Sequence, residues 1–166
     1  WHAGVSRWKN EKNLNKSSIG IEIHNPGHYN NYINFSKQQI NSLLKLLKFL
    51  KRKYKIKKNF ILGHSDIAPD RKKDPGEKFP WKILSKNKLS IWHKLNVSYL
   101  VKNRGKKLNT KKNKIFNNFL KKIGYRGYKQ KNLILSFQRR FRSELINGIS
   151  DEECFVIAKN LIKLGI

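Results

Sequence analysis

The stretch Gly63–Trp81, GHSDIAPDRKKDPGEKFPW, restricts what this chain can fold into more than any other. It comes directly after the apolar run Phe60-Ile61-Leu62, so Asn59–Leu62 reads as a strand entering a loop. The loop is not expected to be helical, because Pro69 and Pro75 push the residues before them out of the α region. Something else must hold it. His64 and Asp74, an imidazole and a carboxylate ten residues apart, are the candidates to be held by a metal ion.

Upstream, Ser18-Ile19-Gly20-Ile21-Glu22-Ile23-His24 alternates strictly and predicts a half-buried strand. The isoleucines share one face, and Glu22 and His24 project from the other. A carboxylate in a strand of core residues argues for chemistry, with an edge-strand glutamate as the alternative. Asn25-Pro26-Gly27-His28 is a turn. Ser36 and Gln39 make an S-x-x-Q capping box, the mark of a helix start. Ile40, Leu43, Leu44, Leu47 and Leu50 come next at helical spacing, with Leu46 and Phe49 widening the stripe, so a helix is expected to pack on the sheet through about Tyr54. A β-α-β crossover would set the two strands side by side. Glu22 and His64 would then share one end or face of a mixed β-sheet flanked by helices, an α/β fold.

Beyond Trp81 the pattern weakens, and Lys102–Lys114 has almost no apolar content, as in a linker. Three short amphipathic helices are expected after it. The first carries Ile115, Phe116, Phe119, Leu120 and Ile123 and ends near Gly124, the second runs through Leu133, Leu135, Phe137 and Phe141, and the third starts after a Ser150–Glu153 capping box. The expected organisation is a first domain over 1–98, a basic linker over 99–113 and a small three-helix bundle over 114–166. Such a bundle would be marginal alone. Cys154, the single cysteine, sits among Phe155, Val156 and Ile157 and reads as a small buried side chain.

The 166 residues carry 38 Lys and Arg against 10 Asp and Glu, a formal charge of +28. Such a field attracts nucleic acid, anionic lipid or an anionic wall polymer. Compositional bias acting on every surface position accounts for it better, because the lysines are spread along the chain. No finger, helix-turn-helix or stacking motif accompanies the charge, so no specific nucleic acid is expected. The chain has no Met and starts Trp1-His2-Ala3-Gly4, which reads as a fragment lacking its N-terminal part. No apolar run is long enough to span a bilayer.

Catalytic zinc takes three protein ligands and leaves a fourth position for water. His64 and Asp74 supply two. Glu22 could take the proton from that water, and Lys72 could face the oxygen that turns negative when an amide carbonyl is attacked. Together these parts describe metal-assisted amide hydrolysis.

His2-Ala3-Gly4-Val5-Ser6, Leu14-Asn15, Ser18–Ile23, Asn25–His28 and above all Gly63–Pro69, Arg71–Gly76 and Phe79-Pro80-Trp81 resemble the zinc-dependent N-acetylmuramoyl-L-alanine amidases of the type-2 family, which share their fold with peptidoglycan recognition proteins. The resemblance covers residues 1 to about 95. It implies that His64 and Asp74 bind Zn2+, that Glu22 is the catalytic acid or base and that Lys72 stabilises the transition state. The bond cut would join the lactyl group of N-acetylmuramic acid to L-Ala of the stem peptide. In that family a third ligand is a His upstream of the HAG motif, within which this chain starts. His24 is the weaker substitute, and His2, His28 and His93 are expected to be substrate-contacting, structural or surface residues. Lys16 and Asp70 depart from the family's usual residues at tolerant loop positions.

Ser136-Phe137-Gln138-Arg139-Arg140-Phe141-Arg142 with Asn147-Gly148-Ile149 and Asp151-Glu152 is similar to the three-helix peptidoglycan-binding module attached to some of these amidases. It departs from the pattern at Ser143 and Asn147, so the resemblance carries the module's fold and not its sugar binding. The expected partners are peptidoglycan or muropeptides, acting on a monomer. A non-catalytic peptidoglycan-binding protein is the alternative. The wall-binding module points to the periplasm or cell envelope, with cytoplasmic muropeptide recycling as the other possibility.

Overall fold

The computed structural model describes all 166 residues, Trp1–Ile166. Its only sheet is a two-stranded antiparallel hairpin of β1 (Arg7–Trp8) and β2 (Glu11–Lys12), with Trp8 opposite Glu11. Seven α-helices come after it: α1 Lys37–Lys53, α2 His64–Ile67, α3 Trp81–Lys86, α4 Val97–Asn103, α5 Thr110–Ile123, α6 Gln130–Phe141 and α7 Glu152–Lys163. No helix is long and apolar enough to cross a membrane.

The mixed sheet expected from the sequence is therefore not formed within this chain. Ser18–His24 pairs with no other strand, and Ile19 and Ile21 are 50% and 36% exposed. Asn59–Leu62 is not a strand either; Lys58–Phe60 is a 3-10 turn leading into the loop. The alternation in Ser18–His24 reports a face suited to burial. A strand, however, exists only where a neighbour supplies ladder hydrogen bonds, and none runs beside these segments.

Helix α1 starts at the expected box, with the Ser36 hydroxyl accepting from Gln39 N and the Gln39 side chain accepting from Ser36 N. It buries Ile40, Leu43 and Leu47, whereas Leu46 and Phe49 face solvent. Instead of a sheet it packs on Phe79, Trp81, Leu84 and Leu89, which lie at the far end of the proline-bearing loop and in α3 and the turn beyond it.

Lys102–Lys114 is not a free linker. Only Arg104–Asn109 is non-helical, and it is tied down at several points. The Arg104 guanidinium donates twice to Glu153, at 2.8 Å each, Gly105 N donates to Asp151 Oδ2 at 2.9 Å, and Glu152 N donates to Lys106 O at 2.9 Å. The three C-terminal helices form as expected, with one shift. The cap of α7 is Asp151, whose carboxylate accepts from Cys154 N at 2.9 Å. Ser150 instead donates to Asn113 Oδ1, and Glu153, 0% exposed, serves the arginines.

These helices share one continuous core with the N-terminal residues. Ala3, Trp8 and Leu14 lie in the same buried cluster as Phe116, Leu120, Ile123, Tyr125, Phe137, Phe141, Cys154, Ile157 and Leu161. Trp8 meets Tyr125 edge to face at 5.2 Å. Gly124 permits that approach: its φ is +141°, and a Cβ there would stand 2.5 Å from the Trp8 ring.

Candidate metal centre

The proline argument holds for most of Gly63–Trp81 but not for its first turn. His64–Ile67 forms one helical turn, α2, which ends at Ala68, the residue before Pro69, with φ −142° and ψ 56°. Asp66 closes the turn on itself by accepting from Gly63 N at 2.8 Å. The chain then doubles back, so that Ser65 N donates to Asp74 O at 2.8 Å. Gly63 is what allows the two ends to meet, since a Cβ there would lie 2.7 Å from Pro75 Cδ.

This path brings His64 Nδ1 to 3.0 Å from Asp74 Oδ2, as the sequence led us to expect of the pair. A carboxylate only accepts, so Nδ1–H donates here. Burial opposes the Asp74 charge, but the His64 hydrogen bond and charge, helped by Lys72, outweigh it and hold the carboxyl below the usual range. On the ring's other side, Nε2 lies 3.3 Å from both Ala3 O and Arg71 Nη2. Arg71, to which the sequence assigned no role, also donates to Ala3 O and twice to Val5 O, at 3.1 and 3.0 Å. It straps the N-terminal segment across the site. An Arg after a proline in a lysine-rich loop gave no local sign of this.

The pair suits zinc. Bonds of about 2.0–2.2 Å in a tetrahedron separate neighbouring donors by about 3.3–3.6 Å, so the observed 3.0 Å Nδ1–Oδ2 spacing would open by a few tenths of an ångström to admit the ion. With Nδ1 given to a metal, the ring proton would move to Nε2, where Ala3 O stands as acceptor, the outer partner that metal-bound histidines usually have. The donor set stops at two: no group of three His, Cys, Asp or Glu comes together anywhere in the chain. His24 brings no side-chain contact to the pair; only its carbonyl is engaged, by Gln39 Nε2 at 2.7 Å.

Glu22 is exposed and makes no hydrogen bond or ion pair within the chain. Lys72 is half-buried and near enough to Asp74 to favour its charge. The remaining histidines are engaged elsewhere. His2 Nε2 is 2.8 Å from Ser18 Oγ, and His28 Nε2 is 3.0 Å from Glu77 Oε2. His93 accepts from Leu95 N at 3.3 Å; burial first, then the Lys82 charge, push it down to about 4. Tyr32 forms a second wall to the loop, donating to Pro75 O at 2.6 Å and accepting from Lys78 N, with burial pushing its phenol up to about 12.

Two further parts of the chain do more than the sequence alone suggested. Asp70 accepts from Tyr128 N at 2.7 Å, Lys129 N at 3.2 Å and Asn132 Nδ2 at 3.0 Å, so it caps the start of α6 from another part of the chain. In the QRRFR run, Gln138, Arg140 and Arg142 are all buried. Gln138 accepts from Asn147 N and Gly148 N and donates to Ile149 O, which makes it an internal brace.

Comparison with known proteins bears on this geometry. A family model described as N-acetylmuramoyl-L-alanine amidase matches residues 1–77. The N-acetylmuramoyl-L-alanine amidase AmiD of Escherichia coli K12 is 33% identical over 175 residues, covering 98% of this chain and 63% of the relative. The 1,6-anhydro-N-acetylmuramyl-L-alanine amidase AmpD of Haemophilus influenzae is 42% identical over 82 residues, covering 49% of this chain and 42% of the relative. The chain thus spans less than two thirds of either curated relative. Among solved structures, AmiD from E. coli, in complex with the substrate anhydro-N-acetylmuramic acid-L-Ala-D-gamma-Glu-L-Lys, matches with a TM-score of 0.86 at 33% identity, over 99% of this chain and 68% of that one. AmpDh3 from Pseudomonas aeruginosa matches at 0.82 and 31% identity, over 99% and 68%.

Proposed function

The chain belongs to the N-acetylmuramoyl-L-alanine amidase family, and from that premise we propose that it carries the hydrolytic site of a zinc amidase that cuts between N-acetylmuramic acid and L-Ala of the peptidoglycan stem peptide. The observation that supports this most is the convergence of His64 Nδ1 and Asp74 Oδ2 at a spacing suited to one tetrahedral ion. In this reading His64 and Asp74 are two zinc ligands, and a further donor completes the set. Zinc, when bound, would lower the pKa of a water to about 7 and polarise the amide carbonyl. Glu22 is assigned the proton transfer, because its exposed carboxylate has no partner within the chain to hold it back. Lys72, beside Asp74, is assigned the developing negative oxygen. Residues 1–98 form the hydrolytic part, 99–113 connect, and 114–166 form the peptidoglycan-binding-like helical part. The protein acts as a monomer on peptidoglycan or muropeptides in the periplasm or cell envelope; cytoplasmic recycling of muropeptides is the alternative.

A second reading, a peptidoglycan-binding protein without catalysis, is favoured by one observation: only two metal donors converge. The two separate on metal and product. The protein as its gene encodes it is assayed for bound zinc and for release of the L-Ala-led peptide from an anhydro-muropeptide by mass spectrometry. Stoichiometric zinc with peptide release supports the amidase; neither would leave the binding protein. Within the amidase, Glu22→Ala is expected to keep zinc and lose turnover, and His64→Ala to lose both. Loss of zinc in Glu22→Ala would overturn the role given to Glu22.

A further inference from the structure

A buried polar cluster centred on Asp66, two residues from His64, is built from both halves of the sequence. Asp66, 1% exposed, accepts from Gly63 N and Arg140 through Oδ2, and from the Tyr125 hydroxyl through Oδ1 at 2.7 Å. Tyr125 is 0% exposed, and burial, then the Asp66 charge, keep its phenol protonated far above the ordinary range. Arg140, 3% exposed, spends its other terminal nitrogen on Ile61 O and Ser90 Oγ, both at 3.1 Å, and lies 4.0 Å over the Trp81 ring.

This arrangement has a direction. Gly63, Ile61 and Trp81 bracket the loop that carries His64 and Asp74, and Asp66 closes the turn in which His64 sits. Tyr125 and Arg140 come from the helical part, and Asp70 fastens the same loop to the start of α6. Asp74, Ala3 and Arg71 surround the His64 ring, but the backbone turn that carries it is closed by Asp66, and Asp66 is held from the other half of the chain. We propose that Tyr125 and Arg140 are positioning residues for the metal pair, acting through Asp66 on the turn that presents His64 to Asp74. The helical part is then a component of the hydrolytic site and not only an attachment to the wall. The catalytic consequence rests on the amidase reading; the positioning itself does not.

The decisive variant is Tyr125→Phe, which removes one hydrogen bond to Asp66 and keeps the ring that packs on Trp8 and Phe137. Arg140→Lys is the companion, keeping charge while losing the fork that reaches Ile61 and Ser90. Ile157→Val, in the same core but without a polar contact, serves as a control for loss of stability alone. The readouts, taken after any bound metal has been removed with a chelator, are amide exchange at Ser65, whose N–H is held by Asp74 O, and the ring-nitrogen resonances of His64, which then report the proton held on Nδ1 by Asp74. Tyr125→Phe should speed Ser65 exchange at least about tenfold beyond the control and move the His64 ring toward averaged tautomers. Where wild type hydrolyses muropeptide, kcat should fall by more than KM changes, toward the about 100-fold that a misplacement of about 1 Å costs. Ser65 and His64 signals that match the control in Tyr125→Phe would overturn the proposal. Altered signals in a protein whose wild type hydrolyses nothing would sustain the positioning and sink the amidase.

Discussion

Trp8 offers the sharpest test of whether the two halves of the sequence are one folding unit. It lies in the N-terminal hairpin, yet it is 2% exposed because Tyr125 and Gly124 cover it, and Lys9 N donates to Gly124 O at 2.9 Å. Truncating a buried Trp to Ala costs about 3–5 kcal/mol, from lost transfer energy and the cavity left behind. An unfolding entropy of about 2.1 cal/mol/K per residue gives about 350 cal/mol/K for this chain, so the melting midpoint should fall by about 9–14 °C. Trp8→Phe should behave differently. The indole Nε1 is buried with no partner, and such a donor costs about 1–3 kcal/mol to desolvate. Phe gives up some contact area but sheds that cost, so a net change of about 1 kcal/mol or less is expected. The assay is thermal melting monitored by far-UV circular dichroism, a signal dominated by α1 and α5–α7 and not by the hairpin. If the helices of Trp8→Ala melt at the wild-type midpoint, or if two transitions separate, the shared core does not bind the halves into one unit.

Two perturbed groups give further outcomes. His93 titrates near 4 in the fold against about 6.5 when unfolded, so between those values the unfolded chain binds a proton that the fold excludes. Stability from this source is full above pH 6.5 and is lost as pH falls toward 4, by about 2 kcal/mol between pH 7 and 5; the urea midpoint of His93→Gln should lose less over that interval than wild type, and equal losses would refute the assignment. Burial, set against the Arg142 charge and joined by Asp151, pushes the Cys154 thiol up to about 12, leaving about one part in 10,000 as thiolate at pH 8. A disulfide reagent should therefore modify Cys154 only as fast as the protein opens, and rapid labelling of a protein with an intact melting curve would contradict its burial.

Local signals in the sequence were read correctly where the physics is local. The Ser36–Gln39 box starts α1 because both its hydrogen bonds close within one turn. The apolar spacing of α5 names its buried face, Phe116, Leu120 and Ile123, since helical periodicity needs no partner to be visible. The prolines confine α2 to a single turn, and that in turn sets His64 against Asp74. Where the reading went astray, the missing information was a partner. Ser18–His24 alternates like a strand but has none to pair with. Lys102–Lys114 looks like a linker by composition, yet its backbone is fastened to Asp151 and its Arg104 to Glu153. Asp70, taken for a tolerant loop substitution, caps a helix 58 residues away.

The sequence by itself determined α1 and the three C-terminal helices and singled out His64 and Asp74 as a pair, because each is written in short-range spacing, while whole motifs carried the resemblance to the family. Only the tertiary structure decided what holds the loop Gly63–Trp81 in place. Asp66, Tyr125 and Arg140 are far apart in sequence and carry no shared period. A buried charge, however, must find its donors wherever the fold can bring them. Here it finds Arg140 on α6 and Tyr125 in the connection after α5, and so the loop that carries His64 and Asp74 is tied to residues the sequence had set apart as a separate module.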